Sequence, residues 1–338
     1  MKAVVLTRHG PPSVLRLSDV PVPVPERDQV RVRLRAIGIN WAEVLSRKGL
    51  YGWAPPLPYI PGMEGYGEID AVGPAASDRV IGERVIVGAQ YGCYAEFVCV
   101  PAHQALPAPS AYSPEESAAF AVNYLTAWVA LFEMARLRPS DRVLVQAAAG
   151  GVGTAAVQLA KRFGCTVYGT AGTDAKVEAL RGLGVDGAVN YRTHDFETAL
   201  AAGRGDGRVD VVLELVGGEV YRKSLRMLAP FGRIVVAGFA SLDLNKWNPV
   251  SWWRTWRAIP RADVRAMAVG SHGVLATHIG YLLPERARLA AIWAELTSFV
   301  ERQSIHPVIG ASFPFTEIAE AHRRLESRQN VGKIVVRV

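Results

Sequence analysis

A glycine-rich turn near the middle of the chain limits the possible folds more than any other feature. The turn is Gln146-Ala147-Ala148-Ala149-Gly150-Gly151-Val152-Gly153, between the apolar segment Arg142–Gln146 and the amphipathic segment Gly153–Phe163. The first segment is predicted to be a strand and the second a helix. Alternating strands and helices with continuously apolar strands are typical of a parallel, doubly wound α/β sheet.

The same alternation continues towards the end of the chain. The further predicted elements are strand Cys165–Gly169, helix Asp174–Leu183, strands Val209–Leu215 and Arg233–Ala237, helices Arg286–Gln303 and Thr316–Ser327, and a final strand Lys333–Val338. The two late helices place their apolar residues at helical spacing. Before the turn, the capping signal Ser113-Pro114-Glu115-Glu116 predicts a long apolar helix that ends near Met134.

Residues 1–110 have the different pattern of a β-rich domain. Strands are predicted at Lys2–Leu6, Gln29–Ala36 and Arg84–Val87, with proline-rich connections between them. Short strands with proline and glycine turns predict a small, barrel-like β domain. The arginines of the second strand alternate with apolar residues, which favours a solvent-facing strand side over an anion site.

The composition excludes several classes of protein. The three cysteines, Cys93, Cys99 and Cys165, form no CxxC pair, which argues against a disulfide framework and for a reducing, cytoplasmic compartment. The apolar run at the start is too short for a signal peptide. The longest apolar stretch, Ala118–Phe132, is shorter than the roughly 20 residues that cross a bilayer. The net charge of +7 is spread along the chain and indicates no nucleic acid partner.

The glycine turn itself predicts a dinucleotide site. Glycines let the backbone approach a pyrophosphate, and the following helix presents N–H groups to it. An NAD site usually carries an acid near the end of the second strand, which binds the ribose 2′-hydroxyl. Here that segment reads Gly169-Thr170-Ala171-Gly172-Thr173, with Asp174 in the first helical turn and Lys176 beyond it. The missing acid and the nearby cation favour NADPH, although Lys176 taken alone also fits an exposed helix position.

Several short motifs together resemble one family. They are Gly38-Ile39-Asn40-Trp41-Ala42-Glu43, Gly49-Leu50-Tyr51, Pro61-Gly62-Met63-Glu64-Gly65, Asn123-Tyr124-Leu125-Thr126-Ala127, Ala147–Gly153, Val216-Gly217-Gly218, His278-Ile279-Gly280-Tyr281-Leu282 and Gln329-Asn330-Val331-Gly332-Lys333. With these motifs the chain resembles, over nearly its whole length, the zinc-free quinone oxidoreductase (zeta-crystallin-like) branch of the medium-chain dehydrogenase/reductase superfamily. Within that branch it is most similar to the vesicle amine transport protein homologues.

The resemblance implies a domain arrangement and a set of cofactor-binding residues. A GroES-like β-barrel domain would cover residues 1–122, a Rossmann NADP(H)-binding domain 123–265, and a C-terminal segment, 266–338, would return to the first domain. The active site would lie in the cleft between the domains, and the protein would be a homodimer. The cofactor-binding residues implied by motif match are Asn40, Thr126, Gly150, Gly151, Val152, Gly153, Thr170, Gly172, Lys176, Tyr191, Gly238, Phe239, Ala240 and Asn330.

The metal ligands of the zinc-dependent members of this superfamily are missing. Those members use a cysteine soon after the third strand and a histidine in a Gly-His-Glu motif. This chain has Asn40–Glu43 and Gly62-Met63-Glu64 at those places, and a thioether is a poor zinc ligand. The cysteines of the structural zinc lobe are also missing, so no metal site is predicted. Without a Lewis acid to stabilise an alkoxide, hydride addition to a quinone or an α,β-unsaturated carbonyl (enone) is the easier chemistry.

Two residues are the candidate catalytic groups of such a reductase. Tyr51 resembles the tyrosine that related enoyl-thioester reductases place beside the substrate, and its phenol suits proton donation to an enolate. A tyrosine packed among the prolines at 55–58 is the alternative. Asn40 suits hydrogen bonding to the cofactor ribose or a substrate carbonyl, with a turn residue as the alternative. Glu43, where relatives often carry aspartate, is interpreted as a supporting residue.

A basic, tryptophan-rich segment supports a second hypothesis. Trp247, Trp252, Trp253 and Trp256 alternate with basic residues, and Asn248-Pro249 resembles a helix start. The segment suits a cap over a substrate pocket, a dimer contact, a helix that touches anionic lipid, or a surface helix packed on its own domain. The lipid interpretation makes the protein an NADPH-binding membrane-lipid interaction or lipid-transfer protein with little turnover. No nucleic acid partner is predicted, because no recognition fold accompanies the tryptophans.

Overall fold

The computed structural model describes residues 1–203, 206–239, 251, 259 and 261–338. These residues form two compact units. The first unit comprises Met1–Leu125 and Ile279–Val338, and the second comprises Thr126–His278. Each unit has its own sheet and its own buried polar groups. The tryptophan-rich segment from Trp247 to Trp256 and the predicted site residue Ala240 lie outside the described residues.

Fifteen strands, numbered in chain order, are found in the described residues. They are β1 Lys2–Val4, β2 Leu17–Asp19, β3 Gln29–Ile39, β4 Glu64–Val72, β5 Arg84–Gly88, β6 Phe97–Pro101, β7 Ala105–Pro107, β8 Arg142–Val145, β9 Thr166–Ala171, β10 Gly187–Asn190, β11 Val209–Glu214, β12 Leu228–Val236, β13 Gly273–Ala276, β14 Ile309–Pro314 and β15 Lys333–Arg337.

The helices are named here by their ranges. The α-helices are Trp41–Lys48, Pro114–Ala118, Ala121–Trp128, Gly151–Arg162, Asp174–Gly182, Phe196–Gly203, Gly218–Arg226, Val264–Gly270, Arg286–Arg302 and Ile318–Glu326. Single 3₁₀ turns occur at Pro12–Val14, Ala102–Gln104, Ile279–Leu282 and Phe315–Glu317, and a π-helical turn covers Val129–Met134. Among the residues that the structure describes, no helix combines the length and the apolar character needed to cross a membrane.

The second unit is built on a parallel sheet with the strand order β10-β9-β8-β11-β12-β13. This is the strand order of the Rossmann fold, in which the sheet runs outwards in both directions from its first strand. Right-handed crossovers then put the connecting helices on both faces. The prediction of a doubly wound α/β sheet is therefore confirmed. The strand β13 pairs with β12, and the compact second unit extends to His278.

The first unit contains a mixed sheet in which the C-terminal part of the chain takes part. Its strand path is β14-β15-β3-β4-β5-β7, and β6 also pairs with β3. The last strand, β15, lies antiparallel to β3 and places Ile334 opposite Ile39, both in the apolar core. On the other side of β3, Arg31 pairs with Asp70 of β4 at 2.8 Å, so a carboxylate already neutralises this arginine.

The long helix predicted from Ser113 to Met134 is wrong as a single element. The structure divides it into the helices Pro114–Ala118 and Ala121–Trp128 and the π-helical turn that follows. The buried carboxylate of Glu64 accepts the N–H of Val122 at 2.8 Å. This contact satisfies a backbone N–H in the first turn of the second helix.

Candidate functional site

The glycine turn between β8 and helix Gly151–Arg162 has a closely packed shape. Ala147 has a φ of 50°, and its carbonyl accepts the N–H of Gly150 at 3.0 Å. A Cβ atom on Gly153 would lie 2.5 Å from the carbonyl oxygen of Ala147, so only glycine fits there. Since the first N–H groups of a helix have no acceptor within it, Gly151, Val152 and Gly153 offer donors to an anion.

A second group of side chains lies where β9 and β10 end. A Cβ atom on Gly172 would lie 2.6 Å from the phenol oxygen of Tyr191 and 3.4 Å from Nε of Arg192. Glycine at this position lets a phenol and a guanidinium lie over the backbone. Tyr191 is 45% exposed, and Lys176 is half-buried in the first turn of helix Asp174–Gly182. Sequence reasoning missed Arg192, because the sequence does not tell that its guanidinium turns towards Gly172.

Thr170 contacts the glycine turn from the interior of the second unit. Its side chain is buried, and its hydroxyl donates to Oε1 of Gln146 at 2.5 Å. The Thr170 hydroxyl oxygen itself accepts the N–H of Ala147 at 3.2 Å. Thr170 therefore holds the glycine turn from inside the unit, and its contact with a cofactor stays a prediction.

The residues predicted for the nicotinamide half are found in both units. In the second unit, Phe239 is 42% exposed and Thr126 is buried on helix Ala121–Trp128. In the first unit, Asn330 is buried and its amide donates to the carbonyl of Gly332 at 2.8 Å. Roles for these residues and for Gly238 towards a cofactor stay predictions.

Asn40 lies in a buried ion-pair cluster of the first unit. Lys333 of β15 donates to Oδ1 of Asn40 at 2.5 Å and forms an ion pair with Glu64. Nδ2 of Asn40 donates to the same carboxylate at 3.0 Å. Lys333 and Glu64 are 3% and 0% exposed, so this charge pair is removed from water. The structure uses the Asn40 amide inside the unit, and a catalytic role for it stays a prediction.

Glu43 is the centre of a neighbouring set of buried hydrogen bonds. Its carboxylate accepts the N–H of Asn40 at 2.6 Å, the N–H of Met63 at 2.8 Å and the hydroxyl of Tyr94 at 2.9 Å. Burial raises the pKa of Glu43 to about 7. Because the Tyr94 hydroxyl donates to Glu43, it accepts from Nε2 of His322 at 2.9 Å. Glu43 thus joins Asn40, Met63 and Tyr94 in the interior, and its supporting role towards a substrate stays a prediction.

Tyr51 lies in an aromatic group of the first unit. Its ring meets Trp53 edge-on at 6.5 Å between centroids, and Trp53 lies 6.4 Å from Tyr281. Burial, and then the negative charge of Glu43, raise the pKa of Tyr51 to about 12. The phenol therefore keeps its proton at neutral pH, which is the state that a proton donor needs.

Met63 offers a thioether, which does not suit zinc. Met63 is buried and contributes a backbone N–H to Glu43. In the described part of the chain, no group of three or more histidine, cysteine, aspartate or glutamate side chains is arranged to hold a metal ion.

The fold and the glycine turn define a two-unit protein with a Rossmann-type dinucleotide site. Two family models match the chain: the alcohol dehydrogenase GroES-like domain at residues 26–110 and a zinc-binding dehydrogenase model at 183–336. The human synaptic vesicle membrane protein VAT-1 homolog is 37% identical, over 99% of this chain and 86% of its own length. The rat quinone oxidoreductase is 32% identical, over 99% of this chain and 97% of its own.

A solved structure agrees with these relatives. The Escherichia coli quinone oxidoreductase complexed with NADPH superposes with a TM-score of 0.88 at 28% identity, and each chain is covered completely. The chain belongs to the medium-chain dehydrogenase/reductase superfamily, in the zinc-free branch that holds the quinone oxidoreductases and the VAT-1 homologs. The resemblance drawn from the sequence motifs is confirmed.

Proposed function

We propose that this protein is an NADPH-dependent, zinc-independent reductase that transfers hydride to a quinone or an enone. The observation that supports the proposal most is the arrangement at the carboxyl ends of the parallel strands in the second unit. There the glycine turn, the N-terminus of helix Gly151–Arg162 and the group around Gly172 lie in one Rossmann unit. Relatives of the same branch are quinone oxidoreductases, and one of them is complexed with NADPH.

The residues present fit NADPH. Gly153 leaves room for a pyrophosphate beside the backbone, because a side chain there would collide with Ala147. Arg192 supplies positive charge beside Gly172, and Lys176 is a second cation in the first turn of the following helix, which suits a 2′-phosphate. Asp174, the acid in this segment, accepts the amide of Asn190 at 2.7 Å. NADPH, when bound, supplies the hydride.

The first unit supplies the groups that handle the substrate. A conjugated acceptor that gains hydride becomes an enolate or a hydroquinone anion, which then needs a proton. Tyr51 holds a proton at its phenol oxygen, and its raised pKa keeps that proton in place until a stronger base forms. The aromatic rings of Trp53 and Tyr281 suit a flat, conjugated substrate.

The test is a direct assay of the full chain. The purified protein should bind NADPH more tightly than NADH, and should oxidise NADPH when a panel of quinones and enones is added. Tight NADPH binding without oxidation by any acceptor would contradict the catalytic part of the proposal. Failure to bind NADPH would contradict both parts.

A second candidate function follows from the relatives that are named as synaptic vesicle membrane proteins. The tryptophan-rich basic segment supports an NADPH-binding protein that contacts anionic membrane lipid and turns over little. Co-sedimentation with vesicles of phosphatidylserine and phosphatidylcholine, compared with phosphatidylcholine alone, separates the two. Binding to the anionic vesicles that is lost when Trp252 and Trp253 are replaced by Ala favours this second function.

A further inference from the structure

A buried chain of polar side chains crosses the carboxyl edge of the second sheet beneath the glycine turn. We call it the carboxyl-edge network, and its members are Gln146, Thr170, Ser224 and Glu214. All four are fully buried. They come from the ends of three neighbouring strands, β8, β9 and β11, and from helix Gly218–Arg226.

The hydrogen bonds of this network run in one direction. The Thr170 hydroxyl donates to Oε1 of Gln146 at 2.5 Å, which leaves the Thr170 oxygen free to accept the N–H of Ala147. Nε2 of Gln146 donates to the Ser224 hydroxyl at 2.9 Å. The Ser224 hydroxyl in turn lies 3.5 Å from Glu214 and donates to it. The series of hydrogen bonds therefore ends at the Glu214 carboxylate.

Glu214 also holds the loop that follows β11. Its other oxygen accepts the N–H of Val216 at 2.6 Å and the N–H of Gly217 at 2.8 Å. Gly217, with a φ of 86°, is the residue before helix Gly218–Arg226. One buried carboxylate thus fixes the loop after β11 directly and the glycine turn after β8 through three side chains.

The glycine turn needs such support. Ala147 is in a left-handed conformation that is uncommon for a residue with a side chain. The Thr170 hydroxyl accepts the part-buried N–H of Ala147, and an N–H shielded from water without an acceptor is costly. We propose that the carboxyl-edge network holds the glycine turn in the shape that accepts the nucleotide, with Glu214 as its anchoring, positioning residue. The proposal rests on the proposed NADPH binding.

The electrostatic surroundings make Glu214 a measurable reporter of this role. Burial raises the pKa of Glu214 to about 7, and its hydrogen bonds only partly offset that rise. The titratable group that faces it is Tyr221, whose own pKa is raised by burial and by the Glu214 charge. A protonated Glu214 is a poorer acceptor for two N–H groups and a hydroxyl, so the network should loosen as the pH falls through neutrality.

The experiment measures the dissociation constant of NADPH for the full chain by nucleotide fluorescence. Thr170→Val should weaken binding about tenfold, because it strands the N–H of Ala147, and Thr170→Ser should restore it. Thr166→Val, at the other end of β9, is the matched control and should bind like the wild type. Circular dichroism shows that each variant is folded.

The pH dependence separates positioning from a merely structural role. The ratio of the Glu214→Gln dissociation constant to that of the wild type should rise from near one at about pH 6 to about fivefold at about pH 8. This ratio cancels the titration of the nucleotide phosphate. The proposal is overturned if folded Thr170→Val binds NADPH like Thr170→Ser, or if the ratio does not change with pH. A wild type that binds no NADPH overturns the proposed function and this inference together.

Discussion

The two units bury charge in different ways. The first unit buries both members of an ion pair, Lys333 and Glu64, and adds Glu43 beside them. In the described part of the second unit, Glu214 is the one charged residue among the fully buried side chains, and its neighbours are neutral. The cations Lys176 and Arg192 lie at the surface of that unit.

The charged side chains of the two units differ in what they contact. In the first unit the charges connect segments that are far apart in sequence, since Lys333 on β15 meets Asn40 and Glu64 across the sheet. In the second unit the positive charge stays at the rim, where an anionic ligand can meet it. Buried charge thus joins distant segments in the first unit, and recognition of a nucleotide by Lys176 and Arg192 in the second unit stays a proposal.

The largest effect is expected when the buried ion pair is broken. Lys333→Met leaves the buried Glu64 carboxylate without its cation and should cost about 3–5 kcal/mol in the free energy of unfolding, measured in urea. Lys2→Met breaks an exposed pair with Asp19 in the same unit and should cost less than about 1 kcal/mol. Equal losses of unfolding free energy in the two variants would contradict the distinction between buried and exposed ion pairs.

The next effect is a pH dependence of stability that both units share. Burial raises the pKa values of Glu43 and Glu214 from 4.5 to about 7. Because the folded-state pKa is the higher one, the stabilisation is complete below pH 4.5 and is lost as the pH rises to about 7. Each group accounts for about 3 kcal/mol of this loss.

Urea unfolding at a series of pH values checks this expectation. The substitutions Glu43→Gln and Glu214→Gln should each flatten the fall in unfolding free energy between about pH 4.5 and about pH 7. A variant whose unfolding free energy falls with pH as steeply as that of the wild type would show that its carboxyl does not cause the fall. A slope that changes in only one variant would show that only one unit holds its carboxyl protonated.

Tyr51 tests whether the chemistry of protonation belongs to the first unit. Tyr51→Phe should lower kcat for enone reduction about 100-fold, because the proton donor is lost, and should leave NADPH affinity unchanged. Tyr281→Phe is the matched control, as it alters a phenol in the same aromatic group. Unchanged turnover in Tyr51→Phe would remove this residue from the mechanism.

Arg192 tests whether rim charge in the second unit recognises the nucleotide, and the effect expected is the smallest. Arg192→Ala should weaken NADPH binding about tenfold and leave NADH binding unchanged, since only NADPH has a 2′-phosphate. Arg181→Ala removes an exposed arginine that pairs with Glu178 on helix Asp174–Gly182, and serves as the control. Equal weakening for both nucleotides would mean that Arg192 does not contact the phosphate.

Local patterns predicted much of the second unit. Its parallel sheet and the turn at Gly153 follow from features within short segments, which is where backbone geometry is decided. Arg192 escaped notice because the same segments do not tell which side chain turns towards Gly172. The break before Ala121 in the long predicted helix also escaped, and the contact of Val122 with Glu64 on a distant strand cannot be read from the segment itself.

The sequence by itself determined the family, the class of fold and the place of the glycine turn, since these depend on periodicity and on residues close together in the chain. Only the tertiary structure decided which polar side chains meet in the interior. Lys333 reaches Asn40, and Glu214 reaches the glycine turn through Ser224, because strand pairing brings them together. The pKa and the role of a carboxylate depend on those neighbours and on its burial. Neither can be read from the residues next to it in the sequence.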